Sequence, residues 1–125
     1  MRVEPMDYGT AIVVDDLRAL PLEPGRPVIY DRDIGIRLLH IDPSTGAEHY
    51  LIRYPAGLGA RAHRHTAAHT IIVLEGRMRV NGTGIGPGGY CHFPAGEVMR
   101  HAPEPGADCL FVTLFSGPFD VHPLD

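Results

Sequence analysis

Residues 57–76 read GLGARAHRHTAAHTIIVLEG, and the rest of the chain is organised around them. Three of the eight histidines fall in this stretch, at positions 63, 65 and 69. All three numbers are odd. Successive side chains of an extended strand alternate between faces, so odd positions share one. His63, His65 and His69 can therefore point into one space. Imidazole is the commonest protein metal ligand and suits Fe, Zn, Cu and Ni. The stretch reads as a metal site carried on β-strands.

On the upstream side, Gly57 and Gly59 allow a bend before the histidines. Ahead of the bend, GIRLLHID (35–42) and AEHYLIRYP (47–55) are strand-like runs joined by the turn PSTG (43–46). Pro second and Gly fourth suit such a turn, so the pair reads as a hairpin. Tyr50, Ile52 and Tyr54 share one face of its second strand. Further upstream, TAIVV (10–14) and PVIYD (27–31) read as short strands. DDLRALPLEPG (15–25) between them is irregular, with room for one helical turn before Pro21 and Pro24 stop it. Residues 1–9 form a loosely held lead-in.

On the downstream side, HTIIVLE (69–75) is a β-branched strand turned by Gly76 into RMRVN (77–81). NGTGIGPGG (81–89) is a glycine-dense loop, and YCHFP (90–94) a strand. EVMRHAPEPG (97–106) is a short strand with a proline-closed turn, and DCLFVTLFSG (108–117) a long buried strand. PFDVHPLD is a tail.

The tally is about ten short strands without a convincing helix, the pattern of an all-β sandwich or barrel such as a jelly roll. The 15 glycines and 12 prolines of the 125-residue chain agree with many tight turns. With 44% hydrophobic residues, a single domain over 1–125 has enough material for a core.

Other classes lose support. Net charge is −4, and only Arg61 and Arg64, flanking His63, form a basic pair, so neither nucleic acid nor an anionic membrane is an expected partner. There is no apolar run of roughly 18 residues to span a membrane. MRVEPMDYGT lacks the apolar segment of a signal peptide, so a cytoplasmic location is expected. Cys91 and Cys109, in apolar runs, are expected as small buried hydrophobes and not as a disulfide. There is no Ser-His-Asp ordering, and the glycines of 82–89 lack the Lys and helix of a phosphate loop.

Two spacings resemble the signatures of the cupin superfamily. The first is Gly, five residues, His-x-His, three residues, Glu, six residues, Gly; Gly57, His63, His65 and Gly76 match it, with His69 where Glu usually stands. The second is Gly, five residues, Pro-x-Gly, two residues, His; Gly88, Pro94 and Gly96 match it, with Met99 at the His position and His101 two residues on. Two residues along a strand keep the same face, so His101 can supply the imidazole and Met99 an apolar wall.

The resemblance implies a double-stranded β-helix, the cupin jelly-roll barrel, with a divalent transition metal in its mouth. It implies His63, His65 and His101 as metal ligands, with His69 as a fourth ligand or a proton shuttle. Imidazole in place of carboxylate favours borderline metals such as Fe(II), Zn, Ni or Cu over Mn or Mg, and the resemblance makes Fe(II) the favoured metal, with Zn, Ni, Cu or Mn as alternatives. Some small cupin dioxygenases that cleave β-diketones have such all-His iron sites. The resemblance therefore implies an oxidoreductase acting on a small molecule that chelates the metal. The alternatives are a non-catalytic metal or small-ligand binding and sensing module, or a sugar or acid isomerase. Tyr54 is expected to donate a hydrogen bond to a bound oxygen. His92 is expected on the opposite face, and His40, His49 and His122, with no partner spacing, at the surface. Cupins commonly pair through sheet edges, so a homodimer covering Ile72 and Leu74 is expected.

Overall fold

Strands dominate the residues described by the computed structural model, 11–118 and 120–124. The lead-in expected over residues 1–9 lies outside them. In chain order the strands are β1 (Glu23–Gly25), β2 (Ile34–Ile41), β3 (Glu48–Tyr54), β4 (His63–His65), β5 (His69–Glu75) and β6 (Met78–Val80). They continue with β7 (Thr83–Ile85), β8 (Tyr90–Phe93), β9 (Val98–Met99), β10 (His101–Pro103), β11 (Cys109–Phe115) and β12 (Val121–Pro123). One 3-10 turn, Leu17–Ala19, is capped by the Asp16 carboxylate, which accepts from the Arg18 N–H. No helix among the described residues is long and apolar enough to cross a membrane.

Six strands form one sheet in the order β1-β2-β3-β11-β5-β8. Two three-stranded sheets, β10-β6-β7 and β12-β4-β9, complete the jelly roll. Alternation decides what enters the interior. On β5, His69, Ile71 and Val73 are buried while Thr70, Ile72 and Leu74 take the other face. The core draws Tyr54, Ile71 and Phe111 from the large sheet and Met78, Val80 and Met99 from the small ones, so it lies between the sheets. β11 is paired on both sides over its length, with β3 and with β5.

The hairpin of β2 and β3 forms as expected. The Asp42 carboxylate accepts from the backbone N–H of Ser44 at 2.8 Å, and Gly46 turns with φ +75°. A register shift between Leu38 and His40 interrupts the alternation. It leaves His40 opposite His49, ring centroids 5.5 Å apart. Those two histidines, expected without partners, pair with each other.

Five local expectations are corrected. Residues 11–14 of the TAIVV run form no strand: they pair with no described strand, and a β-prone run without a ladder partner does not make one. β1 lies in the segment expected to be irregular; Pro24 cannot donate to a ladder, which confines it to a sheet edge. PVIYD is no strand: the Tyr30 N–H closes a turn onto Pro27, and only Tyr30 bridges to Ala60. The glycine-dense loop contains β7, because Asn81 and Gly82, at φ +49° and +88°, make a tight hairpin with β6. The tail holds β12.

Candidate metal centre

Three strands and a kink bring four histidines together. β4 places His63 and His65 inward, β5 opens with His69, and β10 opens with His101. β4 is only three residues long and is held on both sides. His63 lies opposite Met99 of β9 and Pro123 of β12, and His65 opposite Val121. Between β9 and β10 the chain changes partner sheet at Arg100, whose N–H donates to Asn81 Oδ1 at 2.8 Å. His101 joins the other imidazoles, while Met99, 2% exposed, packs into the core. His63, His65, His69 and His101 are all buried.

One ring nitrogen from each of His63, His65 and His101 lies within 4.8 Å of the other two. The Nδ1–H of His63 donates to the Arg61 carbonyl at 2.8 Å, which leaves Nε2 as a bare lone pair. His63 Nε2 stands 3.2 Å from His101 Nε2. His101 Nδ1 lies 2.6 Å from the Tyr54 hydroxyl, which also contacts the Tyr30 hydroxyl. With the His101 Nδ1–H donating to Tyr54 and the Tyr54 O–H to Tyr30, both Nε2 lone pairs face one point. Two imidazole nitrogens each about 2.0–2.1 Å from one ion, at near right angles, stand about 3 Å apart. The residues fit a divalent transition metal held by His63, His65 and His101. Hydrogen bonds on the far ring nitrogens of His63 and His101 fix their tautomers.

Electrostatics agree. Burial, and then the His63 charge, pushes His65 down to about 4. Burial, then His65 and His63, pushes His69 down to about 3. Burial lowers His63 and takes His101 well below its ordinary value. The cluster is neutral at neutral pH, the form a metal requires.

His69 stands outside the mutual reach of the other three, its ring 4.5 Å from His65 and 5.9 Å from His101. It is wedged between Phe93 and Phe115, and neither ring nitrogen has a hydrogen-bond partner among the described residues. Tyr54 holds His101 in place of the bound oxygen expected for it, and burial raises its hydroxyl well above its ordinary value, so it stays protonated. Sequence reasoning missed Tyr30. It is 24 residues from Tyr54, and the hydrogen bonds that tie residues 29–31 to 59–61 bring it to the site. His92 and His122 are exposed, and Arg61 and Arg64 point to solvent.

Against the cluster lies a cavity of about 180 Å³. Isoleucines and phenylalanines of β2, β3, β5 and β11 form the apolar part of its wall together with Ile29 and Val121, and His65, His69, His101 and Tyr30 open onto it.

The profile of the ChrR cupin-like domain matches residues 16–120. This chain belongs to the ChrR cupin-like domain family. The cupin-like domain has the jelly roll of several solved structures. It aligns with an acetylacetone dioxygenase from Acinetobacter johnsonii at TM-score 0.73 and 20% identity, covering 98% of this chain and 85% of that one. The polyketide cyclase RemF from Streptomyces resistomycificus aligns at TM-score 0.69 and 22% identity, over 83% and 80% of the two chains. The Rhodobacter sphaeroides complex of SigE with the anti-sigma ChrR aligns at 0.64 and 18%, over 81% of this chain and 52% of that one. No curated protein matches this chain by sequence.

Proposed function

We propose that this protein is a metal-dependent oxygenase acting on a small, mostly apolar molecule that chelates the metal through an enolate or diolate. The observation that carries the reading is a buried group of three imidazoles, with no carboxylate joining it among the described residues, on the wall of an apolar cavity. Fe(II) is the favoured metal, with Zn, Ni, Cu or Mn as alternatives. When bound, it supplies a Lewis acid and template that holds the substrate as an electron-rich enolate for reaction with O2. His63, His65 and His101 hold it through neutral nitrogens, Tyr54 keeps the His101 ring oriented, and the apolar wall excludes water. His69, set back from the three and open to the cavity, faces the substrate as a hydrogen-bond partner. The acetylacetone dioxygenase that shares the fold supports a β-diketone as the first substrate to test.

The test is elemental analysis of protein purified without added metal, followed by oxygen uptake with Fe(II) and a panel of β-diketones. His63→Ala, His65→Ala and His101→Ala are each expected to lose the metal, and His69→Ala to keep most of it while losing turnover. A parent protein that retains no transition metal and shows no oxygen uptake with Fe(II) ends the proposal. The family's namesake, an anti-sigma factor seen with its sigma factor, favours a second reading: a metal or small-ligand sensing module. Metal retained with no turnover of any diketone, phenol or sugar would select it.

A further inference from the structure

The apolar wall of the cavity is interrupted at Thr113. This residue is 3% exposed and lines the cavity, and its Oγ1 has no hydrogen-bond partner among the described residues. Burying a hydroxyl without a partner is costly, and valine has the same shape. The hydroxyl therefore needs a reason, and its position supplies one. On β11, Phe111, Thr113 and Phe115 are buried on one face. Phe115 lies opposite His69, and Thr113 lies opposite Ile71, the next residue of β5 on that face. Two residues of strand place Thr113 about 7 Å beyond the His69 row. The cavity thus has an imidazole end and, about 7 Å along its wall, one unpartnered hydroxyl.

We infer that Thr113 sets substrate specificity, donating a hydrogen bond to an oxygen on the part of the substrate remote from the chelating group. The inference deepens the reading above and rests on it. It narrows the substrate class to small molecules with metal-chelating oxygens at one end and a further carbonyl or hydroxyl at the other. Size agrees: a cavity of ~150 Å³ in another protein holds benzene, and the one here, about 180 Å³, accommodates a skeleton slightly larger.

A matched pair of ligands tests this. Heptane-2,4-dione chelates at one end only; heptane-2,4,6-trione adds one carbonyl to the same skeleton. Calorimetric titration of the Fe(II)-loaded protein without oxygen is expected to show the trione binding about fivefold more tightly, the usual worth of one neutral hydrogen bond. Thr113→Val is expected to erase that preference, keep the dione affinity and metal content, and melt at the same or a higher temperature. Thr113→Ser is expected to keep the preference. Equal affinities in the parent, a preference that survives Thr113→Val, or a valine variant that melts several degrees lower would each overturn the inference. In any of these cases an intact metal content and oxygen uptake would leave the oxygenase reading standing. Absence of metal and of binding by either ligand would remove both.

Discussion

The four matched glycines of the two signatures have one backbone property in common. Gly57, Gly76, Gly88 and Gly96 all lie at positive φ, between +74° and +83°. Only Gly76 also lacks room: a Cβ there would overlap the Asp108 carbonyl oxygen, whereas Gly88 and Gly96 face open space. Gly76→Ala should therefore destabilise by roughly 3 kcal/mol or more, and Gly88→Ala and Gly96→Ala by about 1 kcal/mol each. Urea unfolding of the three variants checks this, and equal losses would refute the steric part. Histidine protonation makes a second prediction, for protein stripped of metal. Unfolded histidines bind protons below about pH 6.5, while native His65 and His69 stay neutral down to about 4 and about 3. The unfolded chain then holds more protons, so stability falls as pH falls from about 6.5 towards 4. By pH 5 the loss is roughly 2 kcal/mol per histidine. Urea midpoints that do not drop between neutral pH and about pH 5 would contradict it. The His63, His65 and His69 face was legible from parity alone. The assignment of His101 over Met99 was not, because it depends on the change of sheet at Arg100.

At the scale of elements, long alternating runs were legible and short pieces were not. β2, β3, β5 and β11 carry seven or eight residues each and were all expected. β1, β7 and β12 have three apiece, too few for a period to declare itself. The Asn81-Gly82 pair was a usable hairpin signal, outweighed by the glycines around it. In the other direction, residues 11–14 look like a strand in isolation but pair with no described strand, and a β-prone run alone does not make a ladder. Neighbouring strands also settle the cysteines. Both are free, Cys91 on β8 and Cys109, fully buried, on β11. Burial pushes each thiol up to about 11, so neither is a ready nucleophile. Ellman's reagent should react slowly or not at all with native protein and count two thiols after unfolding; a fast native reaction would refute this.

At the scale of the whole molecule, the edge of the large sheet is uncovered at β8, where Tyr90 is 64% exposed beside the half-buried Ile72. Apolar surface on an open edge invites a second copy, and a homodimer is the expected assembly. Light scattering giving a monomer mass at micromolar concentration would exclude it. The fold as a whole was legible because its signature spacings place turns, and turns fix where strands can pair. The interior chemistry was less so, since Tyr30 and Thr113 reach the site only through cross-strand neighbours.

The pairing of β12 with the His63–His65 strand has a consequence for how occupancy of the site can be observed. Val121, His122 and Pro123 are register partners of His65, Arg64 and His63, so β12 runs directly alongside the strand that carries two of the imidazoles. Anything that steadies those imidazoles also slows fraying of the strand paired with theirs. Deuterium uptake at the amides of Val121, His122 and Leu124 is thereby a reporter of loading, sensitive to any metal whatever its spectrum.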